Sequence, residues 1–174
     1  MIMMNYYLNI LTIYSIIGFL LESTIYKIKK SKRYSGICYG PITYVYGFGI
    51  LAIDLINKYF LRQIKGNKIK KFILTFIICT ITLSTIEWLG GTILYAIFKI
   101  NLWDYSKKSF HLGKYVCLEL SLTWGLLGCL YLYLIKKVMD PIIHNISKKT
   151  TLFLLIIQLL DISLVFLKKF FKWF

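Results

Sequence analysis

The sequence predicts an all-α, polytopic integral membrane protein with about five transmembrane helices. Three observations carry that expectation. The chain is 58% hydrophobic with a mean hydropathy of +0.68, where soluble domains stand near about 45–50% apolar. Apolar runs recur at about 7–26, 39–57, 72–98, 115–135 and 151–167, each close to the roughly 20 residues that cross a bilayer. All 22 Lys and Arg lie outside those runs, while five of the seven acids lie inside: Glu22, Asp54, Glu87, Glu119 and Asp161.

The sorting of charge decides between two classes of partner. A net charge of +15 in a soluble protein would point to nucleic acid. Here the bases sit in the loops, where phosphate headgroups attract them. The expected partner is the lipid bilayer, and nucleic acid is excluded. Cys38, Cys79, Cys117 and Cys129 have no CxxC spacing, so they read as small apolar residues rather than a metal site or disulfides. No cofactor, metal or catalytic residue is assigned. Residues 1–6 have no basic n-region and no small-residue cleavage site follows the first run, so 7–26 is expected as a retained helix.

The whole chain reads as a single transmembrane domain. The first run carries Ser15, Gly18 and Glu22 on one face, and small residues let a second helix approach. Glu22 has two readings: a buried polar role, or an interfacial carboxylate reaching Lys27 or Lys29. A basic loop at 27–33 follows, with five charges. The stretch 36–49 holds Gly36, Gly40, Pro41, Gly47 and Gly49 among Tyr39, Tyr44 and Tyr46. It is either a broken or re-entrant piece or a helix begun by Pro41 with tyrosines in an interfacial belt. The loop at 58–71 has six bases.

The third run centres on Glu87, its only charge. Thr80, Ser84, Glu87 and Gly91 follow at steps of four, three and four, which puts them on one helix face. A carboxyl group at mid-membrane costs on the order of 2.5–3.5 kcal/mol by insertion scales, so Glu87 is expected to face the bundle, toward Glu22 or Glu119. Protonation, water or a Tyr or Ser hydroxyl lowers that cost. The loop that follows contains Trp103-Asp104-Tyr105 and His111. The fourth run opens with Glu119, shows Cys117, Ser121, Gly125 and Gly128 on a small-residue face, and is expected to end at Lys136-Lys137 and Pro141, with a polar linker over 140–149. The fifth is short, with Gln158 and Asp161 one turn apart and Lys168, Lys169, Lys172, Trp173 and Phe174 at its end. If all five runs cross, Glu22, Glu119, 36–49 and Trp103–Tyr105 share one side, with Glu87 deeper. That is a one-sided polar pocket.

Several of these residues stand in an arrangement that resembles a bacterial membrane family. They are Tyr14-Ser15, Gly18 and Leu21-Glu22; Gly36, Tyr39-Gly40-Pro41 and Tyr46-Gly47-Phe48-Gly49; then Glu87-Trp88, Trp103-Asp104-Tyr105, Gly113, Cys117, Ser121 and Trp124-Gly125. The family is named as putative ABC-transporter permeases, the CmpB-like or type IV group, and the resemblance covers roughly 8–135. It implies a multi-pass protein of the bacterial cytoplasmic membrane, working with other membrane subunits or further copies of itself and with a separate ATPase. The chain has no GxxxxGK[ST] loop and so is not that ATPase. There are departures: Tyr34-Ser35 stand where Asn-Arg is expected, the proline expected near Tyr44 in addition to Pro41 is missing, and Lys114 replaces an arginine. Lysine lacks arginine's bidentate fork.

The leading function is therefore a small permease-type membrane protein. Its pocket candidates are Glu22, Tyr39, Tyr46, Glu87, Trp103, Asp104, Tyr105, Glu119 and Asp161. The alternatives are a membrane assembly or structural factor, and a membrane-embedded lipid-processing enzyme. Against an enzyme, no HExxH or GxSxG motif is present.

Overall fold

The computed structural model describes residues 2–31 and 34–171. Lys32 and Arg33 of the first basic loop, and Lys172, Trp173 and Phe174 of the basic–aromatic end, lie outside the described residues. Four helices are long and apolar enough to cross a membrane: Met3–Ile28, Lys68–Phe98, Leu118–His144 and Lys148–Phe171. The fold is an all-α membrane protein, as its composition predicts. The chain divides into two compact units, Met1–Phe48 with Pro141–Phe174, and Gly49–Asp140.

In the first unit, α1 (Ile2–Ile28) ends in a left-handed turn. The Ser31 amide donates to the Tyr26 carbonyl at 2.9 Å and the Lys30 amide to Lys27 at 3.1 Å, with Lys30 at φ 49°. This is the pattern that closes many helices, with lysine where glycine is usual. Residues 36–43 are not helical. Gly36 has φ +72°, and a Cβ there would lie 2.9 Å from the Ile42 carbonyl oxygen, so glycine is required on both counts. Pro41 disfavours helix at Gly40, and α2 (Tyr44–Tyr59) begins three residues after it. The expected run began at Tyr39. At 16 residues, α2 is about 24 Å long, short of the roughly 30 Å hydrocarbon core.

Helix α6 (Lys148–Phe171) starts at Ser147, whose hydroxyl accepts from the Thr150 amide at 3.1 Å, a side-chain N-cap. A polar seam joins it to α1. Thr151 Oγ1 donates to Asn9 Oδ1 at 2.7 Å, and Gln158 Nε2 to Thr12 Oγ1 at 2.8 Å. Asn5 and Asn9 donate to the carbonyls of Ile146 and Ile143. Asn9, Thr12, Thr151 and Gln158 are all at most 5% exposed. Such interhelical bonds average roughly 0.6 kcal/mol each in a membrane, so their main effect is to set register.

In the second unit, α3 (Lys68–Phe98) is capped by Asn67, which accepts from the Lys70 amide at 2.8 Å. It ends at Lys99, φ 57°, whose amide donates to the Tyr95 carbonyl. At 31 residues it is about 46 Å long, and its basic first turn extends past a hydrocarbon core. Its partner is α4 (Leu118–Leu130). The close approach is made at Gly125, where a Cβ would collide with Thr80 and Phe76 of α3, and Ser84 donates to Ser121 across the pair at 2.8 Å.

The loop between α3 and α4 contains a minimal antiparallel ladder, β1 (His111–Leu112) with β2 (Val116–Cys117), turned by Gly113 at φ +64°. An all-helical reading did not include it. After α4 comes a π segment, Tyr131–Ile135, in which the Lys136 amide donates to the Tyr131 carbonyl. The helix then continues as α5 (Lys136–His144). Neither Lys136-Lys137 nor Pro141 ends it, contrary to expectation, and the linker shortens to a few residues.

Candidate functional site, a glutamate held by tyrosine and tryptophan

Glu87 lies eleven residues before the end of α3, about 16 Å along its axis, and is 5% exposed. The charge is in reach of no water at that depth unless protein supplies it a path, so it needs donors. Two arrive from different elements. Trp124 of α4 donates its Nε1–H to Oε2 at 2.9 Å. Tyr105 of the interhelical loop donates its hydroxyl to Oε1 at 2.8 Å. Both carboxylate oxygens therefore accept, one from a helix and one from a loop. On the same α3 face, Ser84 meets Ser121 and Gly91 lies under the Tyr115 ring.

The loop is built to deliver Tyr105. Its amide donates to the Lys114 carbonyl at 2.7 Å, and its carbonyl accepts from the Lys108 amide at 2.8 Å. Asp104 accepts from the Ser106 amide at 2.8 Å, an Asx turn. The Ser106 hydroxyl and amide, helped by Lys114 and Lys107, hold the Asp104 carboxyl below its ordinary value. Tyr115 donates to Asn101 at 2.6 Å and meets the Trp103 ring edge-on at 6.4 Å. Trp103 Nε1 is buried with no hydrogen-bond partner among the described residues. Glu119 does not join Glu87. It pairs with Lys108 at 2.7 Å, with both side chains at least half exposed, and that bond raises the Lys108 ammonium above its ordinary value. Asp104 and Glu119 thus brace the loop from outside, while Glu87 and Tyr105 meet inside.

A second polar centre of the same unit lies at the other end of α3. Lys136, 8% exposed, bridges Asp54 of α2 at 2.5 Å and Asp140 at 2.9 Å. Tyr131 also donates to Asp54, at 3.3 Å. Residues five apart sit about 140° around an α-helix; the π turn closes on the fifth residue and brings Tyr131 and Lys136 to the same carboxylate.

The remaining candidates lie in the first unit. Glu22 accepts from Tyr26 and Ser35, both at 2.6 Å, rather than reaching Lys27 or Lys29. Ser35 in turn bonds Thr43 at 2.7 Å. Asp161, 8% exposed, accepts from the amides of Tyr39 and Gly40, both at 2.9 Å. It thereby pins the 36–43 segment, and the Tyr39 ring lies under the Lys168 ammonium at 5.5 Å. The Tyr46 ring packs against Gly18. Sequence reasoning gave no polar role to Asn9 and Thr12 or to Ser35 and Tyr26. A signal existed for two sets: Asn9, Thr12 and Ser15 recur every third residue in an apolar helix, and Tyr26 stands four residues after Glu22.

Comparison with known proteins adds one finding. Neither the curated proteins nor the solved structures contain a match to this chain. A family model does match, over residues 9–167, taking in Glu22, Glu87, Tyr105, Trp124 and Asp161. The chain, a multi-pass membrane protein by its helices, belongs to the family described as Putative ABC-transporter type IV.

Proposed function

We propose that the chain is the membrane-spanning, permease-type component of a transporter in a bacterial cytoplasmic membrane. Its polar centre is Glu87 with Tyr105 and Trp124. The observation that carries this reading is a carboxylate 5% exposed within 72–98, the otherwise uncharged apolar part of α3, a costly placement that usually marks function. The energy source is a separate ATPase, since the sequence lacks a phosphate-binding loop. With so few helices, further membrane subunits or a second copy of the chain complete the path. Glu22, Tyr39, Tyr46 and Asp161 form a second polar set within their own unit. Trp103, Asp104 and Glu119 support the loop that carries Tyr105.

The test is to purify the tagged full chain from its native membranes and follow vanadate-sensitive ATP hydrolysis. Hydrolysis should accompany the chain, and Glu87→Gln should lower it at least tenfold with unchanged accumulation. An intact preparation without hydrolysis, or a glutamine variant with the parent rate, overturns the proposal. A structural role is the second reading, because two fixed side chains already occupy both oxygens of Glu87. On that reading glutamine is harmless and only Glu87→Leu reduces accumulation.

A further inference from the structure

The Asp54–Lys136–Asp140 centre opens onto a cavity of about 260 Å³ within the Gly49–Asp140 unit. Arg62, Lys71, Lys136 and Lys137 line it, together with the hydroxyl-bearing Thr75 and Tyr133. Four bases thus share the lining with one carboxylate, Asp140, while Asp54 reaches the cavity only through its pair with Lys136. Lys136 is committed to both acids. Arg62, Lys71 and Lys137 make no ion pair among the described residues. The cavity is smaller than the roughly 300–1,000 Å³ of a drug-sized site and suits a compact, multiply charged anion. Thr75 and Tyr133 hydroxyls meet at 3.1 Å and add donors.

Three elements supply the walls: the end of α2 with its Leu61–Gln63 turn, the first two turns of α3, and the π segment with the start of α5. This end of the unit also carries the six bases of 58–71. A π turn in the wall is a second pointer, because such turns collect at functional sites. The surroundings favour a lipid over a free ion. Phe72 stacks on Tyr133 with ring centres 6.0 Å apart. Phe60, Phe72 and Leu134, each next in sequence to a lining residue, are 56%, 45% and 60% exposed. A basic cavity with an apolar collar at a helix end matches a headgroup with its acyl chains.

We infer that this cavity binds the phosphates of an anionic phospholipid headgroup, with Arg62, Lys71 and Lys137 as the recognising charges and the acyl chains along Phe72 and Leu134. The site is separate from Glu87 and independent of the transport reading.

The delipidated full chain in detergent is titrated with cardiolipin, phosphatidylcholine or inorganic phosphate, and binding is read by native mass spectrometry and by tryptophan-detected melting. Cardiolipin should bind saturably and raise the melting temperature; the other two should not. The triple variant Arg62→Gln, Lys71→Gln, Lys137→Gln should bind cardiolipin roughly 100-fold more weakly, at about fivefold per base. A control with the same charge loss elsewhere, Lys27→Gln, Lys29→Gln, Lys30→Gln, should bind as the parent does. The single variants Arg62→Gln and Lys137→Gln, each about fivefold weaker, carry the test if the triple variant does not fold. Cardiolipin binding within threefold of the parent in the triple variant, or in both singles, overturns the site. So does an equal loss in the control. Inorganic phosphate binding as tightly as cardiolipin overturns the lipid assignment in favour of a free-phosphate site.

Discussion

Replacing Glu87 by glutamine and by leucine separates hydrogen bonding from charge. In the glutamine variant the amide oxygen can keep the Trp124 donor, and the new NH2 can donate to Tyr105, whose hydroxyl turns to accept. The expected loss of stability is under about 1 kcal/mol. Leucine takes the acceptor from both donors, at roughly 1–3 kcal/mol for each. Denaturation in detergent should therefore rank parent, glutamine and leucine in that order, with the wide gap before leucine. A gap of equal size before glutamine would show that the carboxylate charge itself holds the pair. Lys136 offers a parallel case. Lys136→Met leaves Asp54, 3% exposed, without its cation, and breaking a buried pair costs about 3–5 kcal/mol. The double variant with Asp54→Asn should recover part of that, and failure to recover would mean that the Lys136–Asp140 contact dominates.

At the scale of elements, Asp161 holds the 36–43 segment by two backbone amides. Asp161→Ala should release it. In a variant whose only cysteine is Cys38, 3% exposed, labelling by a membrane-permeant maleimide should speed up about tenfold, the effect of roughly 1.4 kcal/mol of local opening. An unchanged rate would mean that the Gly36 turn and the Thr43–Ser15 backbone bond suffice. The loop that carries Tyr105 has a defined pH response. The Asp104 carboxyl is lowered, so its contribution is present above its usual 3.8 and is lost as pH falls through the lowered value. The Lys108 ammonium is raised, so its contribution is present below its usual 10.5 and is lost as pH climbs past the raised value. The protection of amides over 104–117, relative to their intrinsic exchange rate at each pH, should stay flat across neutral pH and fall at both extremes. High salt should weaken the alkaline limb, because the Lys108–Glu119 pair is exposed. Protection that changes steadily through pH 6–8 would assign the loop's stability to other groups.

Across the whole molecule, the exposed surface is rich in Leu, Ile and Phe, as on α6, where Leu152, Phe153, Leu159 and Leu160 are each more than 60% exposed. Patches of this kind are not left to water by soluble proteins. The chain should stay in the pellet when membranes are stripped with alkaline carbonate, and release into the supernatant would contradict four crossing helices. Membrane class and most helix positions were legible in the sequence because they depend on long runs and on where lysine is excluded. The burial of Glu87, 5% exposed, was legible for the same reason: the one charge in the apolar run 72–98 is costly to leave in lipid. Its partners were harder to read. Tyr105 reaches Glu87 only because an Asx turn, a Gly113 turn and a two-residue ladder fold the loop back, and turn chemistry leaves a weak signature among many tyrosines. The start of α2 was misplaced because Pro41 both starts helices and excludes them from the residue before it. The π segment left no trace at all: Tyr131–Ile135 is apolar throughout, so periodicity does not register one extra residue in a turn.

That extra residue makes the second polar centre sensitive to chain length in a way that no substitution would reveal. Between Tyr131 and Lys136 the helix holds one residue more than regular winding requires. Deleting Leu134 should let the segment relax to an ordinary α-helix, with little loss of helix content. Tyr131 and the lysine would then stand four residues apart, about 40° around the axis, so the lysine should keep Asp54. An alanine inserted after Tyr133, with nothing deleted, should instead rotate everything beyond it by about 100° about the axis, and the lysine should leave Asp54 although every charged residue is still encoded. The pairing of Asp54 with Lys136 is thus specified by a count of residues as much as by their kinds.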